Sequence, residues 1–99
     1  MDIIDYLRGI KHQRAVWANI MRKEIESRIS QLDKLIEEDA SNEELWVERG
    51  ALYWKLQDWK RCIEDYDKAI GLNPRSRAVE LRQMAMHTIA FYHKDRYNP

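Results

Sequence analysis

What this sequence has little of narrows the field before any motif is read. In 99 residues it holds one cysteine, two prolines, three glycines and a single phenylalanine. A lone thiol, Cys62, rules out an intrachain disulfide and a zinc site built on paired thiolates. So few glycines and prolines argue against a turn-rich β fold and against glycine-rich phosphate loops. Net charge is missing as well, because 17 Lys and Arg balance 17 Asp and Glu. The broad positive field of a dedicated nucleic-acid binder is therefore absent. There is no apolar run of about 18 residues to span a membrane. The opening MDIIDYLRG lacks the basic region and apolar core of a secretory signal. The cytoplasm is the compartment expected by elimination.

What is there is helical periodicity. Ile3, Leu7, Ile10, Trp17, Ile20, Met21, Ile25, Ile29, Leu32, Leu35 and Ile36 follow three- and four-residue steps, the spacing of one helix face. A single helix over residues 1–39 would be about 55 Å long, so a break is expected near Met21–Glu24. Ala40-Ser41-Asn42 ends the stretch, with Ser41 and Glu44 at capping-box spacing and Asn42 an equal candidate for the cap. A helix from Glu43 to Leu56, a tight Gln57-Asp58 link and a helix from Trp59 to Gly71 then form an antiparallel hairpin, with Asp58 capping the second helix. Asn73-Pro74 stops that helix, and Ser76 opens a last one running to about His93. At 44% apolar residues, the chain has enough for one modest core.

The chain repeats itself. At an offset of 34 residues, ISQLDKLI (29–36) aligns with IEDYDKAI (63–70), keeping Ile29/Ile63, Asp33/Asp67, Lys34/Lys68 and Ile36/Ile70. Gly50 falls in mid-helix, where glycine costs roughly 0.5–1 kcal/mol, a cost offset if a second backbone passes close. Trp46 and Tyr53 share a face seven residues apart, and Tyr66 is expected to meet them across the hairpin.

Residues 43–76 resemble a tetratricopeptide repeat, carried by Trp46, Gly50, Tyr53, Tyr66, Ala69 and Pro74 at that family's spacing. Arg49 stands where the family usually has Leu, and Cys62 where it usually has Ala. Residues 9–42 resemble a degenerate preceding repeat without its glycine turn, and residues 77–93 the first helix of a following one, acting as a cap. The C-terminal half, including the FYHKDRYN tail, also looks similar to small bacterial proteins with one and a half to two such repeats. The resemblance implies a single all-α domain over residues 1–99: antiparallel hairpins in a short right-handed stack, closed by a C-terminal capping helix. Trp17 is then expected in the core of the first repeat.

Chemistry is hard to find. His12, His87 and His93 lack metal-ligand spacing, and no HExxH occurs. Cys62 has no base nearby in sequence and reads as a packing residue. The carboxylates from Glu24 to Glu48 stand at helical spacing with Lys23 and Lys34 nearby, as on solvated helix faces. No enzyme, metal or cofactor is expected. The arginines at 75, 77 and 82, with Lys94, Arg96, Tyr92 and Tyr97, resemble a single-strand patch, but Glu80 and Asp95 interrupt it.

The resemblance implies instead a groove, lined by the first helix of each repeat, that takes a protein or peptide. Carried over by position, it comprises Glu44, Val47, Glu48, Ala51, Trp54 and Lys55, then Ala78, Leu81, Arg82, Ala85 and Thr88. Trp54 is the expected anchor, or else is already covered by other helices or a second copy. Lys55 and Arg82 suit a partner's carboxylates. The family's clamp for C-terminal carboxylates uses Lys and Asn where this chain has Val47 and Ala51, so tail recognition of that type is not expected. The rivals are a self-associating module, with a homodimer as its product, and a nucleic-acid accessory protein. The segment FYHKDRYN (91–98) is expected to cap the stack, with Phe91 and Tyr92 on the last helical turn and Tyr97 folded back.

Overall fold

From Ile3 to Glu38 nothing interrupts the backbone hydrogen-bond ladder, and the computed structural model shows one helix, α1 (Ile3–Glu38). The structure describes residues 2–92, so the expectations for His93, Lys94, Arg96 and Tyr97 lie outside the described residues. The break expected near Met21–Glu24 is not there. Arg22, Lys23 and Glu24 all favour helix, and no proline or glycine stands between residues 10 and 38 to stop propagation. Length alone had suggested a turn, and length is a weak constraint beside an unbroken run of helix formers. Asp2 caps the start and Asp39 the end.

Three shorter helices follow: α2 (Glu43–Lys55), α3 (Trp59–Leu72) and α4 (Ala78–Tyr92). Asn42, not Ser41, caps α2, its side chain accepting from the Glu44 amide. Asp58 caps α3 through the Arg61 amide, and Ser76 Oγ accepts from the Ala78 amide at the start of α4. Between α2 and α3 the chain reverses in three residues, Leu56, Gln57 and Asp58. The Gln57 amide donates to the Trp54 carbonyl and the Asp58 amide to the Tyr53 carbonyl, the paired pattern of a Schellman turn. That turn puts Gln57 at φ 59°, left-handed backbone in a residue with a Cβ.

The core lies where α3 passes between α2 and α4. Val47, Cys62, Tyr66, Ala69, Ala78 and Ala85 are buried together, with Trp46, Tyr53, Trp54, Ile63, Ile70 and Leu81 packed around them. Gly50 is what lets α2 and α3 approach. A Cβ on it would stand 2.8 Å from Tyr66 Cε1, 2.9 Å from Cδ1 and 3.2 Å from Asp65 Cβ. The Tyr66 ring is only 1% exposed and has nowhere to retreat. α1 joins through its C-terminal half, burying Ile29, Leu32 and Ile36.

Arg49 ties three helices. Its Nε and Nη2 donate to both oxygens of Asp65 on α3, at 2.9 and 2.8 Å, and its Nη1 to Asp33 on α1 at 2.9 Å. The guanidinium lies 5.0 Å from the Trp46 ring centroid and 5.9 Å from that of Tyr53. Burial pushes the Asp65 carboxyl up while the Arg49 bonds pull it back down, and those bonds in turn push the guanidinium up. Both Asp65 oxygens are held by the one cation, which favours the ionised carboxylate against its burial. The repeat places a second pair at the next level, Arg82 with Asp67 at 2.6 Å, joining α4 to α3. Arg28–Glu48 links α1 to α2, and Arg77–Glu44 links the residue before α4 to α2.

The N-terminal half of α1 stands clear of this body. The radius of gyration is 17.6 Å, against about 13 Å for a compact chain of this size. Trp17, expected in the core, is 65% exposed. With no turn near Met21, the segment that carries it never folds back onto the hairpin.

Three outcomes follow for stability in urea. Gly50→Ala lowers unfolding free energy by about 1–3 kcal/mol, because Tyr66 blocks the new methyl. Gln57→Gly raises it by about 1 kcal/mol, relieving the left-handed Cβ. Arg49→Leu lowers it by about 3–5 kcal/mol at pH 7, since Asp65 is left buried and unpaired. In that variant burial first, and then the neighbouring Asp33 and Glu64 charges, act on Asp65 unopposed and raise its folded pKa above the unfolded value of about 3.9. Its contribution is then fully present below that pH and lost as pH rises through the folded pKa. Urea titrations between acid and neutral pH read this directly: the gap to wild type narrows in acid.

Candidate protein-interaction groove

The residues expected to line a groove separate into three groups. Val47, Ala78 and Ala85 are wholly buried in the core, so the expectation that they face a partner is corrected. Val47 and these two alanines close directly around α3, because small side chains allow the helices to approach until no surface remains. Glu48 turns toward α1 and Glu44 toward the start of α4, each engaged by an arginine, Arg28 at 2.9 Å and Arg77 at 3.1 Å. Arg82, expected to be free for a carboxylate, spends its Nε on Asp67. The remaining positions, Ala51, Trp54, Lys55, Leu81 and Thr88, stay half-buried or exposed.

Trp54 has a neighbour that the sequence reading did not assign to the groove. Its ring meets Trp59 edge-on, centroids 5.3 Å apart and planes at 80°, a favoured aromatic geometry. The two indoles stand five residues apart across the Gln57-Asp58 turn, and the turn brings them to one end of the hairpin. That end opens into a depression of about 320 Å³ lined by Trp54, Lys55, Gln57, Trp59, Thr88 and Tyr92. Lys55 and Thr88 were expected here; Trp59, Gln57 and Tyr92 were not. A signal was available in the tight turn itself, which forces residues on either side of it into one neighbourhood.

Tyr92 and Phe91 sit on the last turn of α4, as expected, but neither is covered. Phe91 is 76% exposed and meets Tyr92 edge-on. Within the described residues the end of α4 therefore presents aromatics outward, and Met84 on the same helix is exposed as well. α4 covers α3 with Ala78 and Ala85 while keeping an apolar outer side of its own.

A second concavity is charged and already paired in part. A wider depression of about 540 Å³ includes Asp33, Glu37, Arg49, Arg61, Glu64 and Asp65, the outer side of the ion-pair network. Burial pushes the Cys62 thiol up to about 11, so at neutral pH it is a protonated packing group with little nucleophilic character. Among the described residues no cluster of His, Cys, Asp or Glu is placed to hold a metal. No described helix is long and apolar enough to cross a membrane.

Comparison with known proteins gives these features a family. Residues 43–76 match the tetratricopeptide repeat family. The Saccharomyces cerevisiae Hsp70/Hsp90 co-chaperone CNS1 is 40% identical over 40 residues, covering 40% of this chain and 10% of that protein. The chain thus spans about a tenth of the length of this curated relative. A solution NMR structure of the Bacteroides fragilis protein BF1650 is 36% identical, covers 78% of this chain and 88% of that one, and superposes with a TM-score of 0.57. Helical repeats of this kind bind proteins and carry out no catalysis of their own, and the hairpin around Gly50 is built as they are. The chain belongs to the tetratricopeptide repeat family, through a complete repeat at residues 43–76, and is a relative of the small Bacteroides fragilis protein.

Proposed function

We propose that the depression between Trp54, Trp59 and Tyr92 takes an apolar side chain from a protein or peptide partner, with Lys55 pairing a carboxylate beside it. One observation carries this reading: an edge-to-face tryptophan pair left half-exposed at the mouth of a cavity formed by α2, α4 and the turn that joins α2 to α3. In the core the Asp65 carboxylate is held by Arg49 and the Ser76 hydroxyl accepts from the Ala78 amide, and the charged depression beside Arg49 is already paired in part. The indole faces are the groups here that still gain by being covered. Tryptophan in a concave site is an ordinary interface anchor, and an exposed lysine at its rim orients a partner more than it adds affinity.

The cavity holds one bulky side chain and little more. A partner segment therefore contributes one aromatic or branched aliphatic residue, with Asp or Glu within a turn of it. Ala51, Leu81 and Thr88 continue the contact along the groove. Because the site is short, affinity on the order of micromolar is expected.

The test is selection of peptides from a random display library on the immobilised full chain, followed by titration calorimetry. The selected sequences are expected to share a bulky apolar residue near an acid. Trp54→Ala should weaken the selected peptides at least tenfold, and Lys55→Glu should weaken them several-fold with a reduced dependence on salt. Helix content by circular dichroism must be unchanged in both variants. Peptides that bind both variants as well as wild type would place the site elsewhere.

A further inference from the structure

Lys55 lines two depressions at the Gln57 end of the hairpin. One is the tryptophan depression. The other, also about 320 Å³, lies where α1 passes the end of α2, and its lining includes Met21, Arg22 and Ile25 of α1 with Lys55, Leu56 and Gln57. Lys55 and Gln57 are thus the wall that the two hollows share. Met21, Ile25 and Ile29 follow at four-residue steps, one stripe of a helix. Ile29 is buried, but the hairpin turns back at Gln57 while α1 continues as a projecting arm. Ile25 is therefore only half-buried and Met21 is exposed, and the hollow beside them keeps an apolar lining that the chain leaves unfilled.

Charge selects the occupant. Neither hollow is lined by a carboxylate, in a chain with as many acids as bases. The two larger depressions are: Glu26 and Asp58 line one, Asp33, Glu37, Glu64 and Asp65 the other. Arg22 and Lys55 bring two cations, and among the described residues neither is in an ion pair. Arg22 also borders the depression with Glu26 and Asp58, where Asp58 is taken by Arg61.

We propose that the two depressions act as one trough for an acidic segment of a protein partner. The segment places one bulky apolar residue in each hollow, a carboxylate on Lys55 between them and a second carboxylate on Arg22. This rests on the reading of the tryptophan depression as a partner site and adds a second half to it, supplied by α1. Residues i and i+2 of an extended segment stand about 7 Å apart on one face, and i and i+4 of a helix about 5–6 Å. Neighbouring hollows with a common wall are served by one such step, so the two anchors are two to four residues apart with Asp or Glu beside them. Lys55 and Arg22 are both exposed, so their pairs set register and partner choice more than affinity. Arg22 further offers a planar fork that takes a carboxylate through two nitrogens.

The test takes the peptides selected on the full-length chain and titrates them by calorimetry at about 0.15 M salt. They are expected to hold a second bulky apolar residue near the first, with at least one acid beside it. Met21→Gln and Arg22→Glu should each weaken them about fivefold or more. Lys23→Glu, the same change of charge on another face of α1, should alter affinity by less than about twofold. All three positions are exposed within α1, and Gln and Glu are good helix formers, so helix content by circular dichroism is expected to hold. A cycle places the second anchor: its replacement by Ala in the peptide should weaken wild type about tenfold and Met21→Gln little further. Additive losses in that cycle overturn the proposal, and so do equal losses for Arg22→Glu and Lys23→Glu, which would reduce the acids to a response to net charge. Peptides weakened by Trp54→Ala yet indifferent to Met21→Gln and Arg22→Glu overturn the trough and leave the tryptophan site standing. Peptides indifferent to Trp54→Ala as well overturn both readings.

Discussion

The guanidinium of Arg49 is where the two helices of the complete repeat and the helix before them are held to one another. It sits over Trp46 and near Tyr53 on its own helix, reaches both oxygens of Asp65 on α3 and still has a nitrogen for Asp33 on α1. An apolar residue at that position would pack α2 against α3 with no preferred rotation. A planar fork that must meet a buried carboxylate fixes rotation and axial register together. Such a pair adds little net stability over a hydrophobic replacement. What it supplies here is a single arrangement of α1, α2 and α3, and with it the position of the Gln57 turn and the two tryptophans beyond.

How much of this was legible in the sequence depends on how local the signal was. The hairpin was plain, because Asn42, Asp58 and Asn73-Pro74 mark its ends with side chains that act within a few residues. Gly50 and Tyr66 were legible as a pair for a different reason: only a close approach explains a glycine in mid-helix, and Tyr66 is the large residue placed to meet it. Asp65 was not legible. Its role depends on Arg49 lying opposite it across the hairpin, sixteen residues away, and a carboxylate in a helical stretch looks like any solvated one. Arg49 had been noted only as a departure from the family's leucine; the charge it carries should have prompted a search for a buried acid.

The groove was misread where burial decides. Helical spacing places Val47, Ala51 and Trp54 on one stripe, yet Val47 is sealed in the core and Trp54 is half open. The difference is one of position along the hairpin: Val47 is enclosed in the core cluster, whereas Trp54 stands at the end of α2 beside the turn. The N-terminal stretch failed for the opposite reason. Every residue from 22 to 24 favoured helix, and a general expectation about length outweighed that local information. The 34-residue correspondence between Asp33 and Asp67, by contrast, has a structural counterpart: each accepts from an arginine on the following helix, Arg49 and Arg82.

Each helix packs chiefly on the one before and the one after it in the chain, α1 on α2, α2 on α3, α3 on α4. The contacts that define the fold therefore join segments close in sequence, and closing each loop costs little entropy. Folding on the microsecond-to-millisecond scale, beginning at the α2–α3 hairpin, is the natural outcome. The same linear arrangement grades the native state. Amides near Tyr66 exchange with solvent only when the whole repeat opens, whereas those in residues 3–20 of the isolated chain are released by fraying from one end. A ladder of local stabilities, highest at α3 and falling toward the arm, is thus built into the order of the helices.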